Sequence, residues 1–156
     1  MTLLDLFDRL ELTALGTLIR ESSWLFPVIE AGHLIGLAIL GGAALVLDLR
    51  LLGLGLGSQT THYVFTQTNP WLRGGIALMI ATGVPLFLSE AVKCYYSTAF
   101  WVKMGALAIA LVFTFALRNP VARDAAASAT RSRLVGAASL ALWLTVAASG
   151  RWIGFS

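Results

Sequence analysis

Glu30 and His33 stand one helical turn apart inside an apolar run from Trp24 to about Leu52, long enough to cross a lipid bilayer. Ionisable groups at that depth are costly and persist where they face a bundle interior and have a partner. A neutral imidazole among apolar helices is a good axial ligand for haem iron. Glu30 would orient that ring, or else pair with Lys103 or Arg151. The competing reading of His33 is a hydrogen-bonded structural residue. His62, the other histidine, falls in the first loop on the opposite side, so the sixth ligand position is left to Lys103, Met104, water or nothing.

Helical phase gathers further residues around this pair. At about 100° per residue, Glu30, His33, Leu37, Gly41, Ala44 and Asp48 share one stripe, and Lys103, Ala106, Ala110 and Thr114 share another. Both stripes are polar at one end and mainly small below it. Small residues allow close helix approach or leave room for a flat cofactor, and both uses stay open. Pro85 predicts a kink in the second span that frees the carbonyl of Ala81.

The composition supplies the elements that must position these residues. Hydrophobic residues make up 58% of the 156, charged residues 12%, and the mean hydropathy is +0.81, which excludes an ordinary soluble domain. Four segments are apolar enough to span a bilayer: Trp24–Leu52, Trp71–Leu88, Phe100–Leu117 and Leu134–Ile153. The expected fold is all-α, a polytopic four-helix transmembrane bundle over residues 21–156. Residues 1–20 precede it, with Leu3, Leu6, Phe7, Leu10 and Leu18 near helical spacing and Asp5, Asp8, Arg9 and Glu11 between them. That pattern predicts an amphipathic interfacial helix. A cleaved signal peptide fits poorly, because acids occupy the place of a basic leading region.

Arginine placement predicts the orientation. With the amino terminus outside, Arg50, Arg73, Arg118, Arg123, Arg131 and Arg133 face the cytoplasm, against Arg9, Arg20, Lys93 and Arg151 outside. His33 then lies roughly 14 Å inside the outer boundary. Glu90 closes the second span at that face and Arg151 the fourth, so Glu30, His33, Glu90, Lys103 and Arg151 are expected to converge in the outer half of the bundle. Ser22 and Ser23 are candidate caps for the first span.

Other signals are weaker. The net charge of +3 comes from arginines bracketing membrane segments, without a basic stripe interleaved with aromatics, so nucleic acid is not an expected partner. Gly53, Gly55 and Gly57 follow a membrane helix rather than a strand, which argues for a loop exit over a dinucleotide site. Trp71, Trp101, Trp143 and Trp152, with Tyr95 and Tyr96, suit an aromatic belt. Cys94 is the single cysteine. No Ser/His/Asp set, Cys/His cluster or phosphate loop is present.

His33-Leu34-Ile35-Gly36, then Gly41-Gly42 and Asp48-Leu49-Arg50, together with Trp101-Val102-Lys103 opening a later helix, resemble the small membrane protoporphyrinogen oxidase family. The resemblance implies that His33 binds haem b and that Lys103 is needed for activity. The sequence departs from that family's pattern at Phe113–Arg118, where F-T-F-A-L-R replaces a late histidine. The same pattern is similar to the membrane domain of copper-resistance D proteins. Over nearly the whole chain, including Gly150-Arg151-Trp152-Ile153, it resembles a group of uncharacterised bacterial four-helix proteins.

The resulting expectation is a haem b protein of a bacterial inner membrane, both termini periplasmic, serving redox chemistry or electron transfer. His33 is its iron ligand, and Lys103 and Arg151 face the propionates. Copper handling is the alternative, through His33 with Met104 or Met79 and a periplasmic redox or metal-carrier partner. A cofactor-free structural subunit, in a homo-oligomer or larger complex within the lipid bilayer, is a third reading.

Overall fold

The computed structural model describes residues 2–154, and every regular element in them is helical. Two short helices, α1 (Leu3–Glu11) and α2 (Ala14–Glu21), take the place of the single N-terminal helix expected. Met1, Phe155 and Ser156, which the 1–20 and 21–156 divisions include, lie outside the described residues. Thr13 makes the break, because its hydroxyl accepts from the Gly16 amide at 3.3 Å and starts a new helix. Gly16 then packs onto α4 so closely that a Cβ there would collide with the Leu88 carbonyl.

Four helices are long and apolar enough to cross a membrane. They are α3 (Leu25–Leu52), α4 (Thr61–Ser89), the run Thr98–Arg123, and α8 (Ala129–Ile153). The third run comprises α6 (Thr98–Phe113), a π turn at Thr114–Arg118 and α7 (Asn119–Arg123), and α5 (Ala91–Tyr96) links it to α4. The chain is therefore an all-α membrane protein built on a four-helix bundle. Leu34, Ile35, Ile80, Ile109, Val112 and Leu144, each more than half exposed, face the side that lipid would cover.

Caps set the helix ends. Ser22 Oγ accepts from the Leu25 amide at 3.2 Å at the start of α3, whereas Ser23 makes no such bond. Gly53, at φ 78°, ends the same helix in the left-handed conformation that glycine adopts without steric cost. Thr60 caps α4 ten residues before the expected start, so His62 and Arg73 lie within that helix. It continues as one helix through Pro70 and Pro85.

α3 lies between α4 and α8, and α6 packs along α8. Its seam with α4 is antiparallel: His33 is opposite Thr82, Gly36 opposite Met79, and Leu40 opposite Gly75. A Cβ at Gly75 would stand 2.8 Å from the Leu40 backbone nitrogen, and one at Gly136 would stand 2.9 Å from Leu51 Cβ on the α8 side. Glycine therefore sets both spacings. Leu40, Ala44, Leu72, Ala110, Trp143 and Val146 form the central core.

Gly75→Ala should lower stability by roughly 1–3 kcal/mol, because backbone rather than a movable side chain blocks the new methyl group. Gly74→Ala, whose Cβ meets open space, should be neutral or slightly stabilising. Unfolding of both variants in the same detergent measures the difference.

Candidate functional site

The α3–α4 seam delivers His33 to Thr82, with Nδ1 2.8 Å from Oγ1. Thr82 spends its one hydroxyl hydrogen on the Leu78 carbonyl at 2.7 Å. The tautomer that completes both bonds donates through Nδ1–H and keeps its lone pair on Nε2. Gly83 makes room for the imidazole, since a Cβ there would lie 3.1 Å from Cε1.

Lys103 reaches the same layer from α6. Its side chain runs over Gly150 of α8, where a Cβ would stand 3.5 Å from Nζ. The ammonium is close enough to act electrostatically on the His33 ring. Among the described residues, no carboxylate forms an ion pair with Lys103 and no acceptor takes a hydrogen bond from it.

Glu30 does not join this pair. It is exposed on α3 and forms no ion pair with Lys103 or Arg151. The reason is helical phase: Glu30 lies about 60° to one side of His33, while Leu37, Gly41, Ala44 and Asp48 drift about 20° to 80° to the other. Arg151 is exposed on the last turn of α8. Met104 packs into an aromatic cluster with Phe7, Phe87, Tyr95 and Phe100, and Met79 lies beside Gly36. Glu90 lines a shallow pocket of about 160 Å³ with Arg20, Phe26 and Ser89. His33 and Lys103 are the part of the expected convergence that the fold brings together.

That aromatic cluster closes this end of the bundle. Phe7 meets Phe87 edge-on at 5.5 Å, Phe87 stacks on Phe100 at 5.5 Å, and the Trp101 indole donates to the Tyr95 carbonyl at 3.0 Å. Glu11 ties the N-terminal helices to α5, its carboxylate accepting from the Val92 amide at 2.7 Å while pairing with Arg20 at 3.2 Å. Burial, with Glu90 nearby, pushes the Cys94 thiol up to about 11. Cys94 is thus a packed thiol at neutral pH rather than a nucleophile.

A second polar cluster lies at the opposite end. Asp48 is 0% and Arg118 1% exposed. Arg118 Nε donates to Asp48 Oδ1 at 2.6 Å, its terminal nitrogen donates to the Ala44 carbonyl at 2.9 Å, and Ser139 donates to Asp48 Oδ2 at 2.9 Å. The Trp143 indole donates to Thr114 Oγ1 at 3.3 Å. Arg118 is buried between helices instead of lying in a cytoplasmic loop, and Trp143 is a core residue instead of part of a belt.

The π turn explains the placement of Arg118. At about 100° per residue it would drift about 40° past Thr114, and the wider i→i+5 turn opposes that drift. The signal was present in the sequence, since Arg118 follows Thr114 by four residues on the Lys103 stripe, and Asp48 ends the His33 stripe at the same level.

Among the described residues, no three His, Cys, Asp or Glu side chains converge to hold a metal ion. Residues 7–156 match the model of a family of unknown function, DUF6644. The chain belongs to that family. No curated protein and no solved structure matches it.

Asp48→Leu should destabilise the bundle by roughly 3–5 kcal/mol, because it strands a buried guanidinium. Pairing it with Arg118→Leu should recover most of the loss, since neither charge then needs a partner. Unfolding of the single and double variants tests the coupling; equal losses in the two would disprove it.

Proposed function

We propose that this protein holds haem b in the membrane through His33 Nε2 and serves redox chemistry or electron transfer. The observation that carries the reading is the Nδ1 contact with Thr82, because a hydrogen bond to the far nitrogen orients a ligating imidazole and leaves its other nitrogen for iron. One imidazole can hold a metal only when the remaining ligands arrive with it, as they do in a porphyrin. That favours haem over copper, for which the described residues offer thioethers such as Met79 in neighbouring turns and no convergence of three His, Cys, Asp or Glu side chains.

Each residue then has a defined task. Thr82 fixes the ring's tautomer and tilt. Gly83 lets its edge lie close against α4, and Lys103 supplies positive charge beside it. The aromatic cluster excludes water from one end of the site, and the Leu40–Ala44–Trp143 core excludes it from the other. Haem, when bound, supplies the one-electron chemistry.

His33→Ala should abolish the Soret band of protein purified from a haem-replete host. Thr82→Val should weaken haem retention about 10–100-fold without removing the ligand. A colourless wild-type protein that keeps copper through gel filtration would transfer the site to copper.

The location we infer is a bacterial inner membrane, with the His33 end facing the periplasm and a periplasmic redox partner. With Arg118 withdrawn into the core and Arg73 well inside α4, the basic residues of the opposite end number four (Arg50, Arg123, Arg131, Arg133) against four (Arg9, Arg20, Lys93, Arg151). The orientation therefore rests on Arg123, Arg131 and Arg133 around the short α7–α8 connection. A periplasm-active reporter fused after Ser156 should be active; a cytoplasm-only signal would invert the assignment.

A further inference from the structure

Two Asn-Pro pairs lie within neighbouring spans, one in α4 and one in α7. Pro70 and Pro120 are exposed, whereas Asn69 is half-buried and Asn119 is 2% exposed, so the asparagine is the inward member of each pair. Neither Asn69 Oδ1 nor Asn119 Oδ1 meets solvent, and neither accepts a hydrogen bond from a described residue. Buried acceptors left in that condition are rare, and an ordered water is a common answer to them.

The packing of α4 against α7 brings the two oxygens to one level. The Arg123 guanidinium lies 4.8 Å from the Phe65 ring centroid, which makes that pair neighbours across the seam. The two spans run antiparallel. Asn69 follows Phe65 by four residues and Asn119 precedes Arg123 by four, so each lies one helical turn deeper on the same face of its helix. Leu47, Val64, Phe65, Val121 and Ala122, all buried, pack together around this seam. Neither amide donates to the other's oxygen, so the two acceptors face each other without a protein group to bridge them.

The surrounding charges select what can bridge them. Arg123 stands one turn toward the end of the bundle, Arg118 precedes Asn119 directly, and Arg73 stands one turn farther along α4. Asp48 matches Arg118, whereas Arg73 and Arg123 form no ion pair among the described residues. A metal cation or an ammonium would enter a positive field with two neutral amide oxygens as its ligands, a poor exchange for its hydration shell. An anion would set its lone pairs against those of the two oxygens. A small neutral molecule with two hydrogens to donate satisfies both.

We propose that Asn69 and Asn119 form a hydration site inside the bundle, where one ordered water donates a hydrogen to each Oδ1 and so joins α4 to the third span. The bridge falls where those spans meet, because α4 packs on the third run through α7. It lies beside the π turn, at the opposite end from His33, and is independent of the haem reading.

The test uses the full-length protein in lipid nanodiscs and hydroxyl-radical labelling by X-ray pulses, in which a bound water oxidises the side chains beside it. Phe65 and Phe7 are each 6% exposed, so access from bulk solvent does not distinguish them, and Phe7 lies in the aromatic cluster at the other end. Phe65 should be oxidised at least about five-fold faster than Phe7, because an enclosed water generates the radical in place. Asn69→Leu combined with Asn119→Leu should bring Phe65 down to the Phe7 rate. Asn69→Ser combined with Asn119→Ser, which keeps polar groups and room for water, should hold it high, and this pair decides the matter if the leucine variant does not fold. Replacing sodium by N-methylglucamine should leave the labelling unchanged. Equal oxidation of Phe65 and Phe7 in the wild type, undiminished oxidation in a folded double leucine variant, loss of it in the double serine variant, or labelling that varies with sodium would each overturn the proposal.

Discussion

The architecture depends on one fully buried ion pair. Asp48 and Arg118 are almost inaccessible, and between them they connect α3, the π turn and α8 through three hydrogen bonds, those with Ala44 and Ser139 included. Inside a bilayer there is no water to stabilise either charge alone, so each is tolerable only in the geometry that supplies the other. That requirement fixes how far each helix is turned about its axis. It also keeps Thr114 inward, within reach of the Trp143 indole.

From that anchor the glycines set the distances. The α3–α4 seam closes at Gly75 and Gly36, and the α3–α8 seam closes at Gly136 one turn from Ser139. Because hydrophobic burial does not drive helices together in lipid, such close backbone approach and interhelical hydrogen bonds carry much of the association. The same seam, followed two turns toward the N-terminal helices, sets His33 against Thr82 and Gly83. A chemically suggestive residue is thus positioned by packing that begins about 20 Å away, at the other end of α3.

The two ends of the bundle serve opposite purposes. At the π turn the charges of Asp48 and Arg118 are matched and sealed from solvent, an arrangement suited to stability. At the His33 end the imidazole and Lys103, which pairs with no carboxylate among the described residues, share a layer beside the aromatic cluster. The N-terminal helices belong to this end structurally. Their apolar residues Phe7 and Ile19 are buried against α4 and α5, while Leu12, Leu15 and Leu18 remain exposed toward the region where headgroups would lie.

The sequence by itself determined the solvent, the number of spans and the inward stripes. Apolar length and helical periodicity are local properties, and Lys103–Ala106–Ala110–Thr114 reads inward without knowledge of any neighbour. It did not determine which polar residues meet. Glu30 looked like the partner of His33, yet a rotation of about 60° took it outward, and the actual partner, Thr82, is a residue type too common to stand out. Arg118 looked like a loop charge because the apolar run stops at Leu117, and only the π turn with Asp48 opposite carries it inside. Pairing between helices depends on rotation and depth at once, and those are set by contacts some 50 to 90 residues apart in the chain. Tertiary structure alone decides them.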